Sequence, residues 1–404
     1  MAQVQVNLDM EIVHELFSKD GRDAGLSKLL ETILNQILEH QATEQLGASR
    51  YERSDDRTAY RNGTRERKLK TRIGSITLDV PRFRSGEFST SLFTRYQRSE
   101  QALVLAMIEM VISGVSTRKV KNITEELCGT RVSKSMVSSL CKNLDPEVAK
   151  FRNRRLAEHY PFLVVDALYT NVRHDHRVSS IGLLIVTGVN TEGYREVLGF
   201  SVADSESEVS WDALFKSLKL RGLKKVDLIV SDNHSGLVQA VRKNFQRTLW
   251  QRCQTHFSRN ILDATPKRLQ PEIKLWLKSL YDAVSLEKAF EIKEEMFDLF
   301  GKKAPKAIAL LDKGFDDITS VFNLPVEFRK RLRTSNSIER LNEEIRRRER
   351  VIRIFPNEQS IIRLLGALLI EQHEKWSTGK KYFDMAEYQS PVIKIIDVKE
   401  LVKA

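Results

Sequence analysis

The chain has 404 residues, 41% hydrophobic and 30% charged, the proportions of an ordinary folded protein with room for two or three domains, and not of a disordered or fibrous one. A net charge of +12 points to a polyanionic partner, nucleic acid first, because clustered cations gain by displacing condensed counterions. The apolar runs from Leu103 and Leu364 are too short to span a membrane, no signal-peptide pattern opens the chain, and Cys128, Cys141 and Cys253 make no disulfide framework, so a cytoplasmic location is expected.

From Met10 to Leu46, apolar residues including Ile12, Leu16, Leu30, Ile33, Leu34 and Ile37 recur at three- and four-residue spacing, which predicts amphipathic helices. Residues 1–48 are therefore expected to form a helical segment suited to dimerisation or DNA binding. The texture changes over residues 49–100. Between Arg50 and Arg98, thirteen Lys or Arg stand against six Asp or Glu, interleaved with Tyr51, Tyr60, Phe83, Phe88, Phe93 and Tyr96. Such a stretch is either a solvated connector poor in strands or a basic, aromatic surface for nucleic acid, and both readings stay open.

Residues 101–155 contain G-V-S-T-R-K-V-K-N-I-T-E-E-L-C-G-T-R-V-S-K-S-M-V-S-S-L-C-K-N-L from Gly114. Ser116 or Thr117 caps a first helix, Cys128-Gly129 ends it, and Val132-Ser133 opens a second with Met136, Val137 and Leu140 facing inward. This is a helix-turn-helix pattern, with an ordinary helical hairpin as the alternative. In the former, Arg118, Lys119, Lys121, Ser133, Lys134 and Ser135 are the expected DNA contacts, since cations and short donors suit phosphates and base edges.

Over residues 156–260, F-L-V-V-D-A-L-Y, I-G-L-L-I-V-T-G-V and Y-R-E-V-L-G-F-S-V read as successive strands, followed by a helix, a strand, a helix and a strand. Asn190-Thr191-Glu192-Gly193 is the expected hairpin turn, and the whole is a mixed sheet with flanking helices. Residues 261–332 carry helical patterns alone. Residues 333–404 begin with S-N-S-I-E-R-L-N-E-E-I-R-R-R-E-R, a helix crowded with both signs of charge.

Asp166 and Asp232 each close an apolar strand. Singly, each reads as a turn cap; on neighbouring strands they become a pair able to share a hard cation such as Mg²⁺. A third carboxylate is wanted. Ile338, Leu341 and Ile345 make the buried stripe of the last helix, Glu339 flanks it near the helix start, and Glu343 one turn on is its rival. The acidic loop of Asp204, Glu206 and Glu208 is expected to be solvated. Trp211, Trp250 and Trp276 read as core, with stacking on an unpaired base as the alternative for Trp250. Cys253-Gln-Thr-His256 has the spacing of half a zinc site, but no second pair accompanies it and no zinc is predicted. His256 then either orients a phosphate near the carboxylates or packs with Phe257, and His234 serves a local turn.

Set in order along nearly the whole chain, Y-R-N-G-T-R-E-R-K-L-K-T-R-I-G (from Tyr60), V-P-R-F-R, G-V-S-T-R-K-V, V-D-A-L-Y, G-Y-R-E-V-L-G, R-G-L-K-K-V-D-L-I-V-S-D-N-H-S-G-L, W-Q-R-C-Q-T-H-F-S-R-N, S-N-S-I-E-R-L-N-E-E-I-R-R-R and R-L-L-G-A-L-L resemble the Mutator-type family of bacterial insertion-sequence transposases. The resemblance implies an α/β catalytic domain of the RNase H-like type, a mixed sheet with flanking helices carrying an α-helical insertion, preceded by a mainly helical DNA-binding region with a helix-turn-helix. It implies Asp166, Asp232 and Glu339 as catalytic ligands of two Mg²⁺ or Mn²⁺ ions, His256 beside them, and Cys253 and His234 in support.

The implied activity is metal-dependent 3′-end cleavage and strand transfer on double-stranded DNA, after binding of the terminal inverted repeats, by a homodimer at the bacterial nucleoid. A DNA-binding regulator or a catalytically silent relative is the alternative. Arg173, Arg259, Arg346, Arg347 and Arg348 are expected to touch the DNA backbone. Where relatives carry a lysine, this chain has Asn171, so one phosphate contact near Asp166 is expected to be weaker.

Overall fold

A computed structural model of the protein describes residues 6–17, 22–53, 55–90, 92, 99–128, 131–174, 177–386 and 388; Phe93 and Tyr96 of the basic segment, and Gly129, lie outside them. The chain divides into two compact units, Met1–Asn143 and Leu144–Ala404.

In the first unit, helices α1 (Met10–Phe17) and α2 (Arg22–Leu46) precede an antiparallel hairpin of β1 (Arg61–Thr71) and β2 (Gly74–Phe83). The basic segment is therefore not a strand-poor connector. Its alternation of Leu69, Ile76 and Leu78 inward with charged residues outward is a strand period that the arginine density conceals. The buried side packs on Leu38 of α2, and Asn35 and Glu31 of that helix bond the backbone of Thr77 and Asp79. Those bonds satisfy an edge that would otherwise stay open. Tyr51 and Tyr60 stand exposed, with the Arg57 guanidinium 5.4 Å from the Tyr60 ring centre. Three helices follow: α3 (Gln101–Ile112), α4 (Thr117–Cys128) and α5 (Lys134–Leu140). Ser116 Oγ accepts from the Lys119 N–H, and Ser133 Oγ from the Met136 N–H, so both expected caps form.

The second unit opens with α6 (Asp145–Asn153), then β3 (His159–His174), β4 (Arg177–Val189), β5 (Arg195–Ala203), α7 (Glu208–Leu220), β6 (Lys225–Ser231), α8 (Ser235–Asn244) and β7 (Leu249–Arg252). The strands make one five-stranded sheet in the order β5-β4-β3-β6-β7. Pairs β3–β4 and β4–β5 are antiparallel, while β3–β6 and β6–β7 are parallel and joined through helices, as parallel neighbours must be. The β4–β5 turn falls at the expected place. Gly193 adopts φ +92 there, and a side chain would meet the Phe383 carbonyl.

On one face of the sheet Leu163, Val165, Leu184 and Ile229 pack against Trp211 and Phe215 of α7 and Leu237 of α8. Helices α9 (Gln254–Asp263), α10 (Gln270–Tyr281), α11 (Leu286–Phe300) and α12 (Pro305–Thr319) build a separate core of Phe257, Leu277, Met296, Leu311 and Phe315. Then come α13 (Val326–Leu332), α14 (Asn336–Ile352) and α15 (Glu358–Ser377). Helix α6, grouped by sequence with the DNA-binding helices, is tied to α15 by a bidentate Arg363–Asp145 pair at 2.7 Å and by Phe151 against His373.

Candidate catalytic site

The register of β3 and β6 brings the two aspartates together. Val164 pairs with Val230, so Asp166 and Asp232, each two residues further on, emerge side by side where the parallel pairing ends. Neighbouring strands are about 4.8 Å apart, which forces two carboxylates into one another's field. Asp166 Oδ1 accepts from the Ala167 N–H at 2.9 Å and Oδ2 from Asn342 Nδ2 at 2.7 Å. Burial first, then the Asp232 charge, lift the Asp166 carboxyl to about 7, and nearby His256 offsets only part of that rise.

Helix α14 brings the third carboxylate. It lies along β3, with Asn342 on Asp166 and Glu349 Oε1 accepting from Thr170 Oγ1 at 2.5 Å; beyond it, Phe355 bridges to Val172. Ile338, Leu341 and Ile345 are buried as their spacing predicts, Glu339 is half-buried, and Glu343 is exposed. The helix start is fixed by the Cys-x-x-His element. Cys253 Sγ accepts from the Ser335 N–H at 3.3 Å, and the Ser335 hydroxyl lies 3.1 Å from both that sulfur and Glu339 Oε1. Ser335 holds the N-cap position of α14, but its hydroxyl serves Cys253 and Glu339 and not the helix backbone.

Cys253 is fully buried, and burial alone would raise its thiol; hydrogen bonds from His256 and Ser335 outweigh that and lower it. The same bond to Cys253 raises His256 to about 8, with the Glu339 and Asp166 charges adding to the effect. Donor atoms of Cys253, His256 and Glu339 lie within 4.8 Å of one another, so the fold supplies the third partner that the isolated Cys-x-x-His lacked. The Cys253 sulfur is already engaged in holding Ser335.

Two residues of this site are absent from the sequence-based set. Asn342, one turn beyond Glu339, is buried and fixes the Asp166 carboxylate. Glu206 was read as part of a solvated loop, yet its side chain is only 7% exposed. Its Oε1 accepts from Trp211 Nε1 at 3.2 Å and its Oε2 from Tyr169 Oη at 3.3 Å, while His234 Nδ1 stands 3.5 Å away. His234 occupies the N-cap position of α8 without a side-chain cap bond, and its backbone N–H lies 3.4 Å from Asp232 Oδ1. Trp250 is committed too: its indole donates to Ser231 Oγ at 2.9 Å, which favours the core reading over base stacking.

Of the cations expected to meet DNA, Arg118, Lys119, Lys134, Arg173, Arg259, Arg346 and Arg347 are exposed, as are Ser133 and Ser135; Lys121 is half-buried. Arg348 is a correction. It is 6% exposed and paired to Glu344 at 2.9 Å and Glu371 at 3.3 Å, because at its helical position it points between α14 and α15. A buried guanidinium with two carboxylate partners serves packing, not a phosphate. Glu344, held by Arg347 and Arg348, sits at about 2.

The carboxylates fit a hard divalent ion such as Mg²⁺ or Mn²⁺. Asp166 and Asp232 adjoin against their repulsion, the former with its proton affinity raised, and a cation would offset both terms. No helix among the described residues is long and apolar enough to cross a membrane.

The Mutator family of transposases has a sequence model that matches residues 1–379. The transposase of insertion sequence element IS256 in transposon Tn4001 of Staphylococcus aureus is 43% identical over 388 residues, 95% of this chain and 99% of that protein. The transposase of insertion sequence element ISRM5 of Rhizobium meliloti is 43% identical over 364 residues, 89% of this chain and 91% of that protein. Among solved structures, the Drosophila P element transposase strand transfer complex aligns over 76% of this chain and 86% of that chain, with TM-score 0.31 and 13% identity, a likeness from which no residue or role is transferred. On the match along residues 1–379 and the identity to these relatives, the chain belongs to the Mutator family of transposases.

Proposed function

We propose that the protein is the DNA transposase of an insertion sequence, which binds the terminal inverted repeats, cleaves at the 3′ ends and joins them to target DNA. The observation that carries this reading is the adjacency of Asp166 and Asp232, with α14, the helix of Glu339, bonded to Asp166 through Asn342, in a chain of the Mutator family. The sheet order, with α14 laid along its central strand β3, supports an RNase H-like catalytic domain, with α9 to α13 inserted before the Glu339 helix.

Asp166, Asp232 and Glu339 would hold two Mg²⁺ or Mn²⁺ ions. Such ions, when bound, activate an attacking hydroxyl and stabilise the leaving oxygen of a phosphodiester. The protein's own part is to aim these groups. Asn342 fixes the Asp166 carboxylate, and Cys253 pins Ser335 and with it the first turn of α14. His256, raised to about 8 chiefly by its bond to Cys253, would donate to a phosphate oxygen. The exposed cations of α4, α5 and α14, with Arg173 and Arg259, would follow the DNA backbone, and the exposed faces of β1–β2 offer cations with Tyr51 and Tyr60. Joining two element ends needs both held at once, which a homodimer on DNA would provide.

A regulator, or a silent relative, would bind DNA through the same surfaces. The buried, mutually repelling carboxylates weigh against it, because they destabilise the fold unless they are used. The test is cleavage and joining of a labelled duplex bearing the terminal repeat, with Mg²⁺. Glu339→Gln is expected to abolish both steps while DNA binding persists, and Glu343→Gln to retain most activity. Wild-type protein that binds and never cuts would move the reading to the regulator.

A further inference from the structure

The loop between β5 and α7 carries a carboxylate that the Asp-Asp-Glu reading does not use. Glu206 lies just before the N-cap of α7, Ser207, at the same end of the sheet as Asp232. Its side chain is 7% exposed, it has no lysine or arginine partner among the described residues, and the His234 imidazole stands beside it. That neighbour is incompletely engaged: His234 Nδ1 is buried and makes no hydrogen bond, 3.5 Å from Glu206 Oε1. Through His234, whose N–H reaches Asp232 Oδ1 at 3.4 Å, Glu206 stands one side chain from the second aspartate. Tyr169 Oη supplies another link, from β3, the strand of Asp166, to Glu206 Oε2.

A buried anchor that served only the fold would be better as an uncharged amide. Both donors, Trp211 Nε1 and Tyr169 Oη, are neutral and would bond a glutamine oxygen as well. The charge is what needs a reason. Burial first, and the Asp232 charge with it, raise the proton affinity of Glu206, and an added cation would offset both.

We infer that Glu206 is a fourth carboxylate of the cation site, held by Tyr169 and Trp211 to serve a divalent ion on the Asp232 side, directly or through that ion's water. This rests on the Asp166, Asp232 and Glu339 site above, and extends it from three acids to four.

The test is a Mn²⁺ titration of the full chain, followed by electron paramagnetic resonance, for wild type, Glu206→Gln and Asp166→Asn. Glu206→Gln is expected to weaken one of the Mn²⁺ binding steps by roughly threefold or more, since affinity follows the charge count of the ligands. Metal-free melting gives the second readout. The glutamine variant should melt at or above the wild-type temperature, because a repulsion has gone, where loss of a purely structural group would lower it. Mn²⁺ binding changed by less than roughly threefold overturns the inference. If Glu206→Gln does not fold, Glu206→Asp keeps the charge but draws it back by about 1.5 Å, and must weaken the same step; wild-type binding in that variant is an equally negative result. Asp166→Asn separates the two readings: if it weakens binding and Glu206→Gln does not, only the fourth carboxylate is lost. If neither variant matters, the three-acid site falls with it.

Discussion

Cys253 shows how one side chain positions a carboxylate through a third residue. Its sulfur receives both the N–H and the hydroxyl of Ser335, and so sets where α14 begins and where Glu339 stands. Cys253→Ala leaves the buried Ser335 N–H without an acceptor and should destabilise the protein by about 1–3 kcal/mol, read from urea unfolding. Cysteine to serine should lose less. Position and acidity separate at His373, which packs edge-on to Phe151 and is held at about 4, chiefly by burial and secondarily by the Arg154 charge. A histidine below its usual 6.5 binds fewer protons folded than unfolded between those values, so stability rises with pH across that window and is lost on acidification. His373→Phe should flatten melting temperature against pH between about 4 and 6.5. An unchanged profile would mean that another group controls that window.

At the scale of elements, α14 divides its arginines by face. Arg348 lies in the α14–α15 seam with Glu344 and Glu371, whereas Arg347 is exposed beside it. Arg348→Ala empties the buried guanidinium's place in the seam, while Glu344 keeps Arg347 and Glu371 keeps Lys375, for an expected loss of about 1–3 kcal/mol in chemical denaturation. Arg347→Ala should stay within about 0.5 kcal/mol of wild type. It should instead weaken DNA binding uniformly across sequences and reduce the salt slope by about one. The stripe of Ile338, Leu341 and Ile345 is visible as helical spacing, but which arginine lies in the seam is not, because Arg346, Arg347 and Arg348 differ only by their angle around the helix and the partner on the far side is α15. The hairpin β1–β2 is a parallel case. Its inward Leu69, Ile76 and Leu78 are few among arginines, and only packing on Leu38 of α2 turns a charged stretch into paired strands.

For the whole molecule, the +12 charge predicts a strong response to salt. With six or more phosphates contacted, DNA affinity should fall by about a thousandfold between roughly 50 and 200 mM salt, measured by fluorescence anisotropy on the terminal repeat. A shallow dependence would show that few of the exposed cations reach the backbone. By itself, the sequence determined the succession of strands and helices from Tyr160 onward, the β4–β5 turn, Asp232 just past the end of β6, and the family, because apolar periodicity, turn residues and ordered motifs are local and survive without coordinates; Asp166 does not close its strand as expected, since β3 runs on to His174 paired with β4, and only the parallel β3–β6 pairing stops near it. It did not determine Asn342 as the partner of Asp166, Ser335 as the partner of Cys253, or Glu206 as a buried acid. Only the tertiary structure decided those, since each is a contact between residues far apart in the chain: an acid three residues past a strand looks solvated until the tryptophan and tyrosine that enclose it arrive from α7 and β3.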